Sequence, residues 1–180
     1  MRLVATEYVS VDGVMDEPGN WSFAFWSEEA SKFKEEELHA TDALLLGRLT
    51  YEGFAAAWPT MKDAGEFGVR MNSIKKYVVS STLKNPTWTN TTVIAGDPVE
   101  EIKKLRSQPG KDLLLSGSGT LVRSLIPHDL IDEFRLMVHP IVLGKGKRLF
   151  HGDEPERVLQ LMGVRQFATG VTVLSYEPKR

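Results

Sequence analysis

Residues 112–122 carry the pattern that says most about chemistry. Apolar residues 113–115 predict a buried strand, and the glycine-containing turn 117–119 separates it from a short helix predicted to begin at Thr120. Glycine leaves backbone N–H groups bare, and a helix start attracts anions. We therefore expect this turn to bind phosphate. The third glycine of the common dinucleotide fingerprint would fall at Val122, which disfavours an ordinary Rossmann domain.

A second turn of this kind follows the apolar residues 43–46. It contains Gly47 and Arg48, and Thr50 is expected to cap a helix that continues through Ala57. The arginine adds a planar cationic group that suits phosphate. The same residues also fit a routine helix cap beside a surface arginine, so this turn alone does not show that a phosphate binds here.

Three hydroxyl side chains, those of Ser80, Ser81 and Thr82, end the next predicted strand, residues 77–79. An NAD site often carries Asp or Glu where the ribose lies, whereas hydroxyls together with Arg48 suit a 2′-phosphate better. Polar residues at a strand end are also common without any ligand. The three strand ends together indicate a ligand site more strongly than any one of them does. The reason is that the carboxyl ends of parallel strands share one edge of a sheet, where ligands bind.

The element pattern predicts a mainly parallel α/β sheet with an antiparallel edge at the C-terminus, because strands alternate with helices until the last two. Strands are predicted at 3–11, 43–46, 77–79, 92–95, 113–115, 134–139, 159–167 and 171–177, and helices at 28–41, 50–57, 69–74, 97–106 and 120–126. The alternation within 134–139 predicts a half-buried strand.

Composition favours one domain over residues 1–180, with 42% hydrophobic and 26% charged residues. The net charge of −2 gives no reason to expect nucleic acid or a membrane surface as a partner. The absence of cysteine excludes disulfides, thiolate catalysis and cysteine-ligated zinc. The N-terminal residues become polar too early for a signal peptide, so we expect a cytoplasmic protein.

Two carboxyl groups are candidate proton donors. Glu29 lies in the first turn of a predicted helix that Ser27 caps, close in sequence to several aromatic residues, and a carboxyl facing them would have a raised pKa. A solvated carboxylate at a helix start is the alternative. Asp12 either caps a turn or faces a ligand, and the turn is favoured. The four histidines show no ligand or triad spacing.

The chain resembles the dihydrofolate reductase fold, and more closely the reductase domain of bifunctional riboflavin-biosynthesis deaminase/reductases and its stand-alone relatives. The ordered motifs that carry the resemblance are Ser10-Val-Asp12-Gly13, Gly47-Arg48-Leu-Thr50-Tyr51-Glu52, Gly117-Ser118-Gly119, Asp132-Glu133, and Pro140-Ile-Val-Leu-Gly144-Lys-Gly146 with Phe150. The resemblance implies an NADPH-dependent reductase with a sheet of about eight strands, usually a homodimer. The zinc deaminase domain of the bifunctional enzymes has no counterpart in this cysteine-free chain.

The resemblance also assigns residues to the cofactor and to catalysis. The cofactor-binding positions it implies are Val4, Ala5, Val14, Asn20, Gly47, Arg48, Thr50, Ser80, Ser81, Thr82, Gly117, Ser118, Gly119, Thr120 and Leu121. Glu29 stands four residues before Phe33 and is similar to the acid of dihydrofolate reductases, although Ser27-Glu28 replaces the proline common there.

We therefore expect hydride transfer from NADPH to a C=N or C=O group of a pyrimidine-like, pterin-like or ribosylated substrate. A dihydrofolate reductase proper is a second enzymatic interpretation. A nucleotide-binding module that binds NADPH without consuming it is the alternative from another class. The shared fold does not name the substrate.

Overall fold

Eight strands form one sheet in the computed structural model, which describes residues 1–150 and 156–179. The strands are β1 (Arg2–Ser10), β2 (Thr41–Gly47), β3 (Lys75–Val79), β4 (Thr91–Ile94), β5 (Asp112–Leu115), β6 (Glu133–His139), β7 (Leu159–Gln166) and β8 (Thr172–Pro178), and the helices are α1 (Glu28–His39), α2 (Arg48–Ala57), α3 (Gly65–Ser73), α4 (Pro98–Arg106) and α5 (Gly119–Leu125). The spatial order is β4-β3-β2-β5-β1-β6-β8-β7. All pairs from β4 to β6 are parallel, while β8 and β7 pair antiparallel. This confirms the predicted sheet and its antiparallel edge.

Helices cover both faces of the sheet, which gives three layers. Side chains of α4 and α5, including Ile102 and Leu125, pack with Leu3 and Leu115 on one face. Side chains of α1, α2 and α3 pack on the other face, and a third cluster joins the first half of α1 to β6 and β8. No helix in the described part of the chain is long and apolar enough to cross a membrane.

Local capping explains where the helices begin. The Ser27 hydroxyl accepts a hydrogen bond from Ala30 N at 3.2 Å, so the predicted cap of α1 is confirmed. The prediction that Thr50 caps α2 is wrong. Gly47 is the cap, and the helix begins at Arg48, because β2 runs directly into α2. Thr50 is therefore the third helical residue and faces the neighbouring turn.

The prediction that 134–139 is half-buried is also wrong. Met137 and His139, on the face expected to be polar, are 1% and 2% exposed. The reason is tertiary: Phe33 of α1 and Phe167, just after β7, cover this part of the sheet. Strand β6 is thus buried between two layers.

A buried lysine fastens the strand that ends in the three hydroxyl residues. Lys76 of β3 is fully buried, and its Nζ donates to Asn72 O at 3.0 Å, Ile74 O at 2.7 Å and Thr89 O at 3.1 Å. The ammonium also lies 4.2 Å from the centre of the Trp88 ring. Burial lowers the pKa of Lys76 to about 8, so the group still carries its proton at neutral pH. It joins α3, β3 and the segment before β4.

Replacing Lys76 with Met should therefore destabilise the fold. The apolar side chain fills a similar volume but leaves three carbonyl oxygens without their donor, which costs about 2–3 kcal/mol of unfolding free energy. Lys75→Met, at the exposed neighbouring position, should change it by less than about 0.5 kcal/mol. Urea denaturation measures both variants, and equal effects would contradict the role given to Lys76.

Candidate functional site

Strands β2 and β5 are neighbours whose following helices lie on opposite faces of the sheet. Tyr51 of α2 packs with Leu44 and Leu46 on one face, whereas Leu121 of α5 packs with Leu115 on the other. A crevice opens at the carboxyl ends of parallel strands where the chain departs in opposite directions, and it is the usual ligand site of such sheets. The turns singled out by sequence stand on its two sides.

The two glycine turns contact each other across this crevice. Gly47 N donates to Gly117 O at 3.1 Å. A Cβ atom placed on Gly47 would lie 2.5 Å from Ser118 Oγ, and one placed on Gly117 would lie 2.9 Å from Thr50 Oγ1. Gly117 also has a φ of +68°, which favours glycine. The mutual approach of the turns therefore requires both glycines, whether or not a ligand is bound.

The third strand end lies on the same edge, as expected. Gly47 pairs with Val79, so residues 80–82 emerge beside the β2 turn. The Ser80 hydroxyl accepts from Thr82 N at 3.2 Å and Leu83 N at 2.9 Å and is thus used within the loop. Ser81 and Thr82 are exposed.

Arg48 is half-exposed at this edge, and its Nη1 lies 2.9 Å from each carboxylate oxygen of Glu52. An exposed i,i+4 pair of this kind is weak. Because the pair is weak, the Arg48 guanidinium can exchange Glu52 for an anionic ligand at little cost in free energy. Arg48, Ser81 and Thr82 together line this edge of the sheet.

Other predicted cofactor positions contribute backbone or core packing. Val4, Ala5, Val14 and Leu121 have buried side chains, and Leu121 N already bonds to Ser118 Oγ at 3.4 Å. Ala5 pairs with Leu115, the last residue of β5, and so lies beside the crevice.

Three further positions lie in turns or at the start of α5. Gly119 packs against Met15, and Thr120 is exposed. Asn20 is exposed too, and it donates to Glu17 at 3.0 Å rather than to the glycine turns.

Asp12 holds a loop together. Its carboxylate accepts from Ser10 Oγ at 2.7 Å and from the backbone N–H groups of Leu143 and Gly144 at 3.1 and 2.9 Å. The Ser10 hydrogen bond, with the two backbone bonds, lowers the pKa of Asp12 to about 2. Asp12 is therefore ionised at neutral pH and has no proton to donate. It ties the end of β1 to the segment around Gly144, which follows β6.

Glu29 is exposed, and the aromatic residues expected to cover its carboxyl pack elsewhere. The rings of Trp21 and Phe25 lie 5.2 and 6.0 Å from that of His139. The Glu29 carboxylate instead accepts from Ala168 N at 2.7 Å and so joins α1 to the turn between β7 and β8. Its catalytic role stays a prediction.

Glu7 is the residue of the site that the sequence analysis missed. It lies in β1, is 4% exposed, and accepts from Gly117 N at 2.9 Å through Oε1. Burial raises the pKa of Glu7 to about 8, against smaller lowering effects of Gly117 N–H and Lys34. A neutral carboxyl group thus stands beside the glycine turn at neutral pH.

The charges nearest to Glu7 belong to a buried network on the α1 face of the sheet. Lys34 is ion-paired with Glu37 and donates to Thr6 Oγ1 at 3.3 Å, while Arg135 Nη1 lies 3.4 Å from Glu37 Oε1. Burial lowers the pKa of Lys34 most, but Glu37 and Tyr8 together raise it by more, so the net direction is upward. The network compensates its own charges, so little positive potential remains to stabilise an ionised Glu7.

The pKa of Glu7 predicts a pH-dependent stability. A carboxyl whose pKa is higher in the folded than in the unfolded chain costs stability as pH rises from about 4.5 through about 8. Glu7→Gln keeps the acceptor for Gly117 N–H but cannot ionise, so it should gain about 2–5 kcal/mol relative to wild type over that range. Urea denaturation across the pH series measures the difference.

Glu35→Gln, at an exposed position of α1, is the matched control and should follow the wild-type profile. A stability difference between Glu7→Gln and wild type that stays constant with pH would show that Glu7 does not titrate in this range.

Solved structures share this architecture over almost the whole chain. A Shewanella sp. PV-4 protein provisionally described as a riboflavin biosynthesis protein superposes with a TM-score of 0.78 at 22% identity, covering 100% of both chains. Dihydrofolate reductase from Enterococcus faecalis, solved with NADP(H), gives 0.62 at 16% identity, covering 99% of this chain and 97% of its own. At these identities the likeness establishes the fold, which is that of dihydrofolate reductase.

Sequence comparison places the chain more narrowly. The uncharacterized protein YyaP of Bacillus subtilis (strain 168) is 35% identical over 142 residues, covering 77% of this chain and 75% of YyaP. The family model of the RibD C-terminal domain matches residues 2–173. The resemblance inferred from the ordered motifs is thereby confirmed, and the chain belongs to the RibD C-terminal domain family.

Proposed function

We propose that this protein is an NADPH-dependent reductase of the riboflavin-biosynthesis type, which transfers hydride to a C=N or C=O group of a pyrimidine-like, ribosylated substrate. The observation that carries the proposal is the crevice between β2 and β5, where two glycine turns, Arg48 and the hydroxyl residues 81–82 share one edge. Family membership supports the same reaction type, since a Thermotoga maritima protein of this fold is described as a deaminase and 5-amino-6-(5-phosphoribosylamino)uracil reductase.

The donor set fits an anionic dinucleotide. Arg48 with Ser81 and Thr82 would hold the 2′-phosphate, and the first N–H groups of α2 would face a phosphate with the positive end of the helix dipole. Ser118 and Thr120 add hydroxyl groups across the crevice. The described residues contain no cluster of side chains suited to a metal ion.

Bound NADPH supplies the hydride, and the chain's own residues position the reactants. Strand β1 continues beyond Ala5, its last pairing with β5, so Glu7 and its neighbours border the opening next to the glycine turn. Fully buried residues such as Val4 and Ala5 keep water from this end of the crevice.

A non-catalytic NADPH-binding module is the second candidate. It is favoured by one observation: Asp12 is ionised and Glu29 is exposed and bonded to Ala168 N, so neither expected proton donor is poised for transfer. Mixing the protein with NADPH and a panel of pterins and ribosylaminopyrimidines, and following NADPH absorbance, separates the candidates. Consumption with a ribosylaminopyrimidine supports the proposed reductase, consumption with dihydrofolate a dihydrofolate reductase, and binding without consumption a module.

Arg48→Ala should weaken NADPH binding about 10- to 100-fold and leave NADH binding nearly unchanged. Only NADPH carries the 2′-phosphate, and its charge-assisted hydrogen bonds are worth about 1.5–3 kcal/mol. Fluorescence titration with each cofactor measures both affinities.

Arg165→Ala is the matched control, since Arg165 is an arginine of similar exposure paired with Glu36 at 2.8 Å in another part of the sheet. It should affect neither cofactor. Equal losses of NADPH and NADH affinity in Arg48→Ala would remove the 2′-phosphate from this edge.

We further propose that the protein is a homodimer that pairs through the exposed face of β7. Leu161, Met162 and Val164 on this edge strand are 50%, 53% and 59% exposed, and Val158 just before it is 59% exposed. An exposed apolar strip of this kind on an edge strand is costly in water and typically marks an interface.

Light scattering at low micromolar concentration should give twice the chain mass of 20.1 kDa. Val164→Lys places a charge in the strip and should yield the single-chain mass, whereas Lys179→Ala outside the strip should not. A wild-type mass of one chain under the same conditions would contradict the dimer.

A further inference from the structure

Glu7 is connected to both phosphate-binding turns through backbone hydrogen bonds. Its Oε1 accepts from Gly117 N at 2.9 Å, and Gly117 O in turn accepts from Gly47 N at 3.1 Å. One side chain in the middle of β1 thus fixes the peptide groups that set the distance between the turns. A change at Glu7 is transmitted to the crevice without any other side chain.

The surroundings of Glu7 leave its charge uncompensated. Its neighbour on β6, Leu136, is apolar, and the turn 116–119 carries no titratable side chain. From α1, Lys34 favours the carboxylate and Glu37 opposes it, and Lys34 is itself ion-paired with Glu37. On α5, Arg123 donates to the carbonyl groups of Arg148 and Leu149. An ionised Glu7 would therefore place a negative charge beside the turn that receives an anion.

We propose that Glu7 is a positioning residue whose protonation is coupled to dinucleotide binding, so that the protein takes up a proton at Glu7 when the anionic cofactor enters the crevice. The inference rests on the proposed function, because it requires the cofactor phosphates to lie against the Gly117 turn. The charge balance is simple: two like charges separated by one peptide group repel in a poorly solvated site, and protonating the carboxyl removes the repulsion.

Two measurements on NADPH binding test the coupling. Isothermal titration calorimetry at pH 8 in HEPES and in Tris, which differ in ionisation enthalpy, should report uptake of up to about half a proton by wild type, because Glu7 is half-ionised there. The wild-type affinity should also fall about tenfold from pH 7 to pH 9.5, where the 2′-phosphate itself no longer titrates. Glu7→Gln should take up no proton and should lose most of this pH dependence.

The control variant Glu35→Gln should behave as wild type in both measurements. Identical proton uptake and pH profiles in wild type and Glu7→Gln would overturn the role of Glu7 while leaving the reductase proposal intact. Absence of NADPH binding in wild type at every pH would instead overturn the proposed function, and the coupling with it. The buffer comparison on wild type needs no variant, so a poorly folded Glu7→Gln protein would still leave a decisive result: no uptake at pH 8 contradicts the proposal.

Discussion

The approach of Gly47 to Gly117 is the constraint on which the candidate site depends. The hydrogen bond between their backbones brings the ends of β2 and β5 together at the point where α2 and α5 leave on opposite faces of the sheet. Neither residue tolerates a Cβ without displacing Ser118 or Thr50. The edge that presents Arg48, Ser81 and Thr82 is fixed relative to this contact, because β3 pairs directly with β2.

Buried polar side chains of β1, α1 and β6 stabilise the region around the contact between Gly47 and Gly117. Glu7 holds Gly117 N–H, and the network of Lys34, Glu37 and Arg135 attaches α1 to the same part of the sheet. Buried charges are expensive unless they are paired. Lys34, Glu37 and Arg135 are paired with one another, whereas burial keeps Glu7 neutral at physiological pH. The site therefore combines a rigid backbone with one group poised to respond to pH and to nearby anions.

Local signals in the sequence were sufficient for most of the fold. The apolar run of β2, the Ser27 cap and the Asp97 cap with Pro98 at the first helical position each act within a few residues, and the structure contains all three. Properties set by distant partners were missed.

Examples are the burial of His139, the position of Thr50 within α2 and the neutral state of Glu7, which depend on packing across the sheet. A charged residue among the apolar positions of β1 was the available signal for Glu7.

The central claim is that NADPH binds across the ends of β3, β2 and β5, and a crystal structure of the protein with NADPH tests it most directly. We expect the 2′-phosphate beside Arg48 and Ser81 and the pyrophosphate over the contact between Gly47 and Gly117. A dinucleotide bound elsewhere on the sheet, or an edge still empty at saturating NADPH, would contradict the account.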